Sequence, residues 1–319
     1  MRSALLFPGQ GAQRVGMGAD LLERSAAARA LFTRAEAAAG RPLARLCAEG
    51  PEEALRATDV AQPALLAVEL AALAALAERI GADQDDLGGV ARALGAELVA
   101  GHSLGEYAAC VVAGALSIED GLRLAAARGR LMAEASRGTM AAVLGLDAAR
   151  LEEICRSVGG VEVANDNAPG QVVVSGTPEA VEAAGQLARG AGARRVVPLS
   201  VAGAFHSGLM AESAERFAAH LDEVTIHDPA LAIVGNVTAE PLRTSAALRD
   251  ELRRQIASPV RWRESLLRVQ AAGAERAFEC GPGDVLAGLA RRTVPELPVR
   301  ALGTWSDVEA IAAELAEDG

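Results

Sequence analysis

The feature of this sequence that most restricts its fold is the alternation of short apolar runs with longer helical patterns. Runs rich in Val, Leu and Ala, such as residues 4–7 and 97–100, alternate with stretches rich in Ala, Leu, Glu and Arg, such as residues 63–79. This alternation is typical of α/β proteins, in which helices cover a mainly parallel sheet. The chain has 319 residues, of which 51% are hydrophobic, and this suffices for a large core. We therefore predict an α/β fold with a mainly parallel sheet.

A different order of elements occurs between about residues 138 and 200. The patterns predict, in order, a strand, a helix, two strands, a helix and a strand, over residues 140–146, 148–158, 161–164, 171–175, 178–189 and 195–199. The order βαββαβ is that of a ferredoxin-like unit. Thr177 and Pro178 supply the second helix with a cap and a first-turn proline. We predict a small subdomain over residues 138–199, inserted into a catalytic core of residues 1–137 and 200–319.

Charge and composition argue against several classes of partner. The chain carries 31 Lys and Arg against 42 Asp and Glu, a net charge of −11, so we expect neither a nucleic-acid nor a membrane partner. Residues 1–8 do not resemble a signal peptide. No apolar run reaches the ~18 residues of a membrane span, and the uncharged run 107–118 is too short. The cysteines lack metal-ligand spacing and suit a reducing compartment, so we predict a cytoplasmic protein without a metal site.

One segment departs from the regular alternation. Residues 80–95 contain several Gly and Asp residues, and we predict a loop-rich excursion there.

A sharp turn that carries a serine follows the second strand. The run Gly101-His102-Ser103-Leu104-Gly105 lies between strand 97–100 and a helical pattern that begins at Glu106. Gly-x-Ser-x-Gly in this context is the nucleophile-elbow pattern, in which the glycines leave room for strained backbone at the serine. The turn exposes Ser103 Oγ and directs the helix N-terminus and the Leu104 N–H towards developing negative charge. We predict a nucleophile at Ser103, and the alternative is a structural turn with a surface serine.

A serine nucleophile requires a general base, and the sequence offers four histidines. His206 follows the serine in sequence and lies at a strand end, where open α/β sheets carry catalytic groups. His102 is expected to point away from Ser103, and His220 and His227 lie in polar contexts. We therefore predict His206 as the base. No Asp or Glu can be singled out to orient it, which leaves open a dyad whose imidazole is oriented by a backbone carbonyl or an amide.

Arg128 projects from the apolar side of a predicted helix. The helix begins at Ser117 in the manner of a capping box, and the residues one turn before and after Arg128 are Leu, Ala and Met. An arginine removed from water needs an anionic partner, because burying its charge alone costs several kcal/mol. The side chain is therefore either part of a structural ion pair or a fork for a substrate carboxylate, which arginine binds through two parallel hydrogen bonds.

Together these residues resemble the malonyl-CoA:acyl-carrier-protein transacylases of bacterial fatty-acid synthesis and the related acyltransferase domains of polyketide synthases. The matching segments occur in the family's order and span nearly the whole chain. They are residues 7–11, 101–107, 128–132, 164–171, 205–207 and 281–283. The resemblance implies a hydrolase-like α/β core with a ferredoxin-like insertion, which agrees with the order of the predicted elements.

The resemblance also implies a role for each matching residue. Ser103 would carry the malonyl ester, and His206 would activate it. Arg128 would pair with the malonyl carboxylate. Gln10 and Leu104 would supply the N–H groups of an oxyanion hole.

Further implied residues surround this set. Gln255 falls where the family uses a backbone carbonyl to orient the histidine. Phe205 resembles the malonyl-type pattern, in which the ring crowds out an α-methyl group, and Asn165 is expected to contact substrate. Gly281-Pro282-Gly283 either contacts substrate or forms a structural turn.

The implied reaction is a ping-pong transfer of malonyl from malonyl-CoA to the phosphopantetheine thiol of acyl carrier protein, without a metal or bound cofactor. Carrier proteins of the family are acidic, so we expect a basic rim. Its candidates are two groups, Arg189, Arg194 and Arg195, or Arg253, Arg254 and Arg261. The alternatives are a freestanding polyketide-synthase acyltransferase, a malonyltransferase subunit of malonate decarboxylase, and a serine hydrolase or thioesterase. A non-catalytic docking module is disfavoured because the serine, histidine and arginine are all present.

Overall fold

The computed structural model describes residues 1–135, 137–201 and 203–317, and it places the strands in two sheets. From edge to edge, the larger sheet consists of β10 (Val299–Leu302), β9 (Arg276–Cys280), β1 (Ser3–Phe7), β2 (Ala96–Gly101), β7 (Ala232–Val234) and β8 (Pro241–Leu242). Neighbouring strands are parallel except for β7 and β8. The predicted α/β fold with a mainly parallel sheet is thereby confirmed.

Fifteen α-helices occur in the described part of the chain. They are α1 (Ala19–Arg24), α2 (Ala26–Ala39), α3 (Leu43–Glu49), α4 (Glu52–Arg56), α5 (Thr58–Ile80), α6 (Leu87–Ala93), α7 (Gly105–Val112), α8 (Ile118–Glu134), α9 (Ala148–Val158), α10 (Pro178–Gly190), α11 (Ala211–Asp222), α12 (Ser245–Gln255), α13 (Trp262–Ala271), α14 (Val285–Thr293) and α15 (Trp305–Glu317). A short 3₁₀ helix, Gly208–Met210, precedes α11.

The larger sheet buries a different core on each face. Alternate residues of β1 point to opposite faces, so Leu5 and Phe7 join the cluster around α5 and α8, whereas Ala4 and Leu6 join the cluster around α13 and α14. Both faces of the central strands are therefore apolar, as a parallel sheet covered by helices requires.

Helix α5 corrects the expectation that no segment is apolar and long enough to cross a membrane. It has 23 residues and a mean hydropathy of 1.8, and an 18-residue window of it lies entirely inside the fold. Glu69 interrupts the apolar run, so the segment does not stand out in the sequence as one uncharged stretch. The helix packs against α2, α8 and α15 as a core helix.

The smaller sheet is antiparallel and lies within residues 139–198. Its strands are β3 (Thr139–Leu144), β4 (Val161–Ala168), β5 (Gln171–Gly176) and β6 (Arg195–Pro198), in the spatial order β4-β5-β3-β6. Helices α9 and α10 pack on this sheet, which is the arrangement of a ferredoxin-like unit. Strand β4 extends to Ala168, four residues beyond the predicted end, because residues 165–168 continue to pair with β5. Asn165 also forms a bridge with Val260 of the larger core.

The predicted loop-rich excursion over residues 80–95 is partly wrong. Helix α6 forms within it, although Gly88 and Gly89 are poor helix formers. The Asp86 side chain accepts a hydrogen bond from Gly89 N, and Leu87 and Val90 are buried. The cap and the buried apolar side chains therefore outweigh the low helix propensity of the two glycines.

Candidate active site

The turn after β2 holds Ser103 in a strained conformation. Its φ is 52°, in the left-handed region that side chains rarely adopt. A Cβ at Gly101 would lie 1.9 Å from the Gly105 carbonyl carbon, and a Cβ at Gly105 would lie 2.2 Å from Phe7 O. Only glycine therefore fits at either position, which is the physical reason for the Gly-x-Ser-x-Gly pattern here.

His206 lies directly beside the serine. Ser103 Oγ and His206 Nε2 are 2.7 Å apart. On the other side of the ring, Nδ1 lies 3.0 Å from the Gln255 carbonyl oxygen and 3.1 Å from that of Ser258. Carbonyl oxygens only accept, so Nδ1 carries the proton and Nε2 is free to accept one from Ser103. Two backbone carbonyls thus occupy the position that a carboxylate holds in a Ser-His-Asp triad.

The surroundings keep the imidazole neutral. Burial, and then the positive charge of Arg128, lower the pKa of His206 to about 3, against the opposing effect of the hydrogen bond to Gln255 O. His206 also has a positive φ of 59° and donates its N–H to Ile256 O at 3.2 Å. A neutral imidazole with Nε2 facing a serine hydroxyl is the arrangement of a general base.

The Arg128 guanidinium completes a buried cluster with these two residues. It is 1% exposed, and its Nη2 donates to Ser103 Oγ at 2.9 Å and to Gln255 Oε1 at 3.0 Å. Nη1 donates to Gln62 Oε1 at 2.8 Å. Both amide partners are neutral, and among the described residues no carboxylate forms an ion pair with Arg128. The structural ion pair considered for this arginine is therefore not present in the described structure.

The sequence did not predict the residues that hold this cluster in place through hydrogen bonds to the serine turn and to Gln255. Asn236 Oδ1 accepts from Ser103 N at 2.7 Å, and its Nδ2 donates to Gly101 O at 2.7 Å. Glu106 accepts from Asn236 N at 3.0 Å and from Gln255 Nε2 at 2.5 Å. Each of these contacts joins residues more than a hundred positions apart, so no local pattern identifies them.

The two N–H groups proposed for an oxyanion hole lie on the loops that flank the serine. Leu104 is the N-cap residue of α7, and Gln10 lies in the loop after β1. Within the described ranges, neither N–H donates a hydrogen bond to another protein group. The Gln10 side chain donates to Thr58 Oγ1 at 3.3 Å. Gln10 and Thr58 line a cleft of about 590 Å³, whose other lining residues are Glu52, Glu53, Arg56, Ala57, Ser200 and Val201.

Three further residues that the sequence analysis named lie near the serine cluster in sequence or space but form no side-chain hydrogen bond with it in the described residues. Phe205 is buried, and its ring lies over the Cα of Gly203. Asn165 is buried at the bridge to Val260, and no side-chain hydrogen bond joins it to the serine cluster in the described residues. His102 points away from the serine, and its Nε2 lies 2.8 Å from Asn167 Oδ1.

Two histidines and one glycine turn lie outside the cluster. His227 is exposed and His220 is partly exposed, in line with their polar contexts. Gly281 has a φ of 134°, and a Cβ there would lie 2.9 Å from Glu69 Cγ and 3.0 Å from Pro8 Cγ. The turn at 281–283 therefore packs closely against the loop after β1.

Comparison with known proteins extends the likeness over nearly the whole chain. The model of the acyl transferase domain family matches residues 4–306. The chain is 39% identical over 322 residues to the malonyl CoA-acyl carrier protein transacylase of Bacillus subtilis, covering 99% of this chain and 98% of that protein. It is 43% identical over 299 residues to the polyketide biosynthesis protein ThaF of Burkholderia thailandensis, covering 92% of this chain and 24% of that protein.

Solved structures share the same architecture. The acyl-carrier-protein S-malonyltransferase of Bartonella henselae has a TM-score of 0.91 and 38% identity, covering 99% of this chain and 100% of that chain. A malonyl-transacylase in complex with a type II polyketide-synthase acyl-carrier protein has a TM-score of 0.89 and 36% identity, covering 98% of this chain and 100% of that chain.

Proposed function

Since the chain belongs to the acyl transferase domain family, we propose that it transfers a malonyl group from malonyl-CoA to the phosphopantetheine thiol of acyl carrier protein. The single observation that carries the choice of acyl group is the position of Arg128. Its Nη2 lies 2.9 Å from Ser103 Oγ, and its other side-chain partners are the neutral amides of Gln62 and Gln255. A buried guanidinium without an anion, beside the nucleophile, favours an acyl group that brings its own carboxylate.

In the first half-reaction, Ser103 Oγ attacks the thioester carbonyl and gives its proton to His206 Nε2. The developing oxyanion accepts hydrogen bonds from the N–H groups of Gln10 and Leu104. The carbon–sulfur bond then breaks, and the proton on His206 passes to the departing CoA sulfur. The malonyl carboxylate pairs with Arg128 throughout, which fixes the thioester carbon above the serine.

In the second half-reaction, the phosphopantetheine thiol gives its proton to His206 Nε2 and attacks the ester carbonyl of malonyl-Ser103. The carbon–oxygen bond to Ser103 breaks, and the serine oxygen takes the proton back from His206. The same residues serve both halves, so the scheme requires neither a metal nor a bound cofactor.

The charges of the two arginine groups favour one of them as the contact for an acidic carrier protein. Arg253 pairs with Asp222, Arg254 with Asp250 and Arg261 with Glu264. The group Arg189, Arg194 and Arg195 is exposed at the edge of the smaller sheet, and no ion pair involves it in the described residues. Unpaired exposed cations attract an acidic partner more strongly than neutralised ones, so we assign carrier-protein contact to this group.

The experiment that tests the proposal is measurement of intact mass after separate incubation with malonyl-CoA, acetyl-CoA and methylmalonyl-CoA. We expect a malonyl adduct that is absent in Ser103→Ala. In Arg128→Ala, malonyl loading falls relative to acetyl loading. The matched control is Arg130→Ala, which removes an exposed arginine of the same helix and should leave both loading rates unchanged. Malonyl loading that survives the loss of Ser103 would refute the proposed nucleophile.

Addition of a carrier protein after loading separates the remaining functions. Transfer of the adduct to the carrier thiol supports the transferase, whereas release of free malonate without a thiol acceptor identifies a hydrolase. The likeness to ThaF favours a polyketide carrier protein as the second candidate acceptor. A cytoplasmic location, where malonyl-CoA and reduced thiols occur together, is part of the same proposal.

A further inference from the structure

Glu106 is a fully buried carboxyl that the proposed mechanism does not use. It is the second residue of α7, three positions after the nucleophile, and it is 0% exposed. Burial and the neighbouring Glu251 raise its pKa well above the ordinary value, and hydrogen bonds from Gln255 and Asn236 oppose that shift. Its two oxygens accept from two different parts of the chain, Oε1 from Asn236 N and Oε2 from Gln255 Nε2.

The first of these contacts leads to the serine turn. Asn236 receives the Ser103 N–H on Oδ1 and donates from Nδ2 to Gly101 O, each at 2.7 Å. The side chain therefore spans the turn from both ends and satisfies backbone groups that the strained φ of Ser103 leaves without a helical partner. We call this pair of Asn236 side-chain contacts the Asn236 clamp. Because Glu106 accepts a hydrogen bond from Asn236 N, it fixes the position of the clamp.

The second contact leads to the arginine. Gln255 Nε2 donates to Glu106 and, at 2.8 Å, to Ser103 O, so both of its amide hydrogens face acceptors. This orientation leaves Gln255 Oε1 as the acceptor for Arg128 Nη2 at 3.0 Å. A reversed amide would set an N–H against the guanidinium, which also only donates.

From these two branches we infer that Glu106 is a positioning residue that couples the serine turn to the Arg128 fork and so maintains selection of acyl groups that bear a carboxylate. The inference rests on the proposed function, because it assumes that Arg128 binds the acyl carboxylate. Glu106 itself touches neither Ser103 Oγ nor the guanidinium, and it acts through Asn236 and Gln255.

The substitution Glu106→Gln tests this with almost no change in volume. Both oxygens of Glu106 face donors, Asn236 N and Gln255 Nε2, and both can accept whether the carboxyl is ionised or protonated. A glutamine at position 106 has one accepting oxygen, and its NH₂ group only donates. Either the Asn236 clamp loses its anchor, or Gln255 reverses and presents an N–H to Arg128. Both outcomes displace the guanidinium relative to Ser103.

The measurement is the rate of acyl-enzyme formation by intact mass under single-turnover conditions, with malonyl-CoA and with acetyl-CoA. We expect Glu106→Gln to lower the malonyl-to-acetyl rate ratio by about tenfold, the equivalent of about 1.4 kcal/mol. The matched control is Glu279→Gln. Glu279 is also buried and accepts hydrogen bonds on both oxygens, from Leu286 N and Ala287 N, and in the described residues none of its hydrogen bonds involves Ser103, Gln255 or Arg128. This control should retain the parental ratio even if its melting temperature falls.

A second variant protects the test against misfolding of Glu106→Gln. Gln255→Met retains the backbone carbonyl that faces His206 but removes the amide, so it should lower the same ratio. If both rates fall equally in the Glu106 and Gln255 variants, the side chains are only structural and the inference is wrong. The unmodified enzyme and Ser103→Ala, run in parallel, report on the proposed function separately, because a failure of that function abolishes selective malonyl loading in the parent itself.

Discussion

Two buried carboxyls, Glu106 and Glu69, lie on helices that pack near the carboxyl end of the larger sheet, and they differ in their hydrogen-bond partners. Both are 0% exposed. Glu106 accepts hydrogen bonds from Asn236 N and Gln255 Nε2, and through them it reaches the serine turn and the arginine. Neither oxygen of Glu69 has a hydrogen-bond partner among the described residues, and its Cγ lies against the glycine turn at Gly281.

The difference separates a buried polar group that positions a site from one that only costs stability. Burying a polar group without a partner costs about 1–3 kcal/mol in mutational data. At Glu106, hydrogen bonds offset that cost and fix the geometry of two other residues. At Glu69, burial and the nearby Glu279 raise the pKa of the carboxyl well above its ordinary value, and no hydrogen bond offsets the cost in the described structure. Changes in the Glu106 region should therefore alter activity, and changes at Glu69 should alter stability.

The largest expected effect lies in the first region, at His206. In His206→Ala, the rate of malonyl-enzyme formation should fall by about 10²–10⁴-fold, because His206 is the group placed to accept the Ser103 proton. Stopped-flow or quenched-flow loading with malonyl-CoA measures this rate. His227→Ala is the control, since His227 is exposed and lies outside the cluster. A His206→Ala rate within a few-fold of the parent would remove the imidazole from the mechanism.

Some residues of the active site could be predicted from the sequence, and others could not, because their contacts are long-range. Ser103 was predictable because the elbow requires glycine at fixed spacing, and the burial of Arg128 was predictable because helical periodicity places it on an apolar face. Asn236 and Glu106 were not, because their contacts join segments that only the folded sheet brings together. Read locally, Glu106 is an ordinary acid in the first turn of a helix.

Helix α6 and helix α5 show the same limit in the fold. The glycines of residues 80–95 predicted a loop, but burial of Leu87 and Val90 against the core decides the local structure. In α5, the charged residue Glu69 divides an apolar segment that is long enough to cross a membrane. The helix is apolar because it lies buried in the core. Tertiary packing overrides local propensity in both segments.

A smaller loss is expected from Arg128→Lys. Lysine retains the charge but presents one ammonium in place of a fork, so it cannot meet Gln62, Gln255 and a carboxylate together. Malonyl loading should fall by about 10- to 100-fold, in line with about 1.5–3 kcal/mol for a hydrogen bond to a charged group. The rate with acetyl-CoA, measured in the same assay, should change much less. Equal losses with both thioesters would argue against recognition of the carboxylate.

The pH dependence of loading should be weak near neutrality. Because burial and Arg128 lower the pKa of His206 to about 3, the imidazole is neutral throughout pH 5–8 and the acylation rate should be nearly constant there. A histidine of ordinary pKa would instead lose about tenfold in rate between pH 7.5 and pH 5.5. Single-turnover loading across this range distinguishes the two cases. An inflection near pH 6.5 would show that the site does not hold His206 neutral.

The smallest effect on activity, and the sharpest contrast with Glu106, is expected from Glu69→Met. Methionine is unbranched at Cγ, as glutamate is, so it fits beside Gly281 without the unpaired oxygens and should raise the free energy of unfolding by about 1–3 kcal/mol.

The folded chain holds a proton on Glu69 that the unfolded chain loses above its ordinary pKa of 4.5, so the parent loses stability as the pH rises towards the raised folded pKa. The advantage of Glu69→Met in thermal or denaturant unfolding should therefore grow as the pH rises above 4.5, while malonyl loading stays at the parental rate. Glu279→Met is the opposing control, because Glu279 accepts from Leu286 N at 2.9 Å and Ala287 N at 2.8 Å and its loss should destabilise the start of α14. If Glu69→Met proves less stable than the parent at pH 9, Glu69 has a partner in solution and the contrast with Glu106 fails.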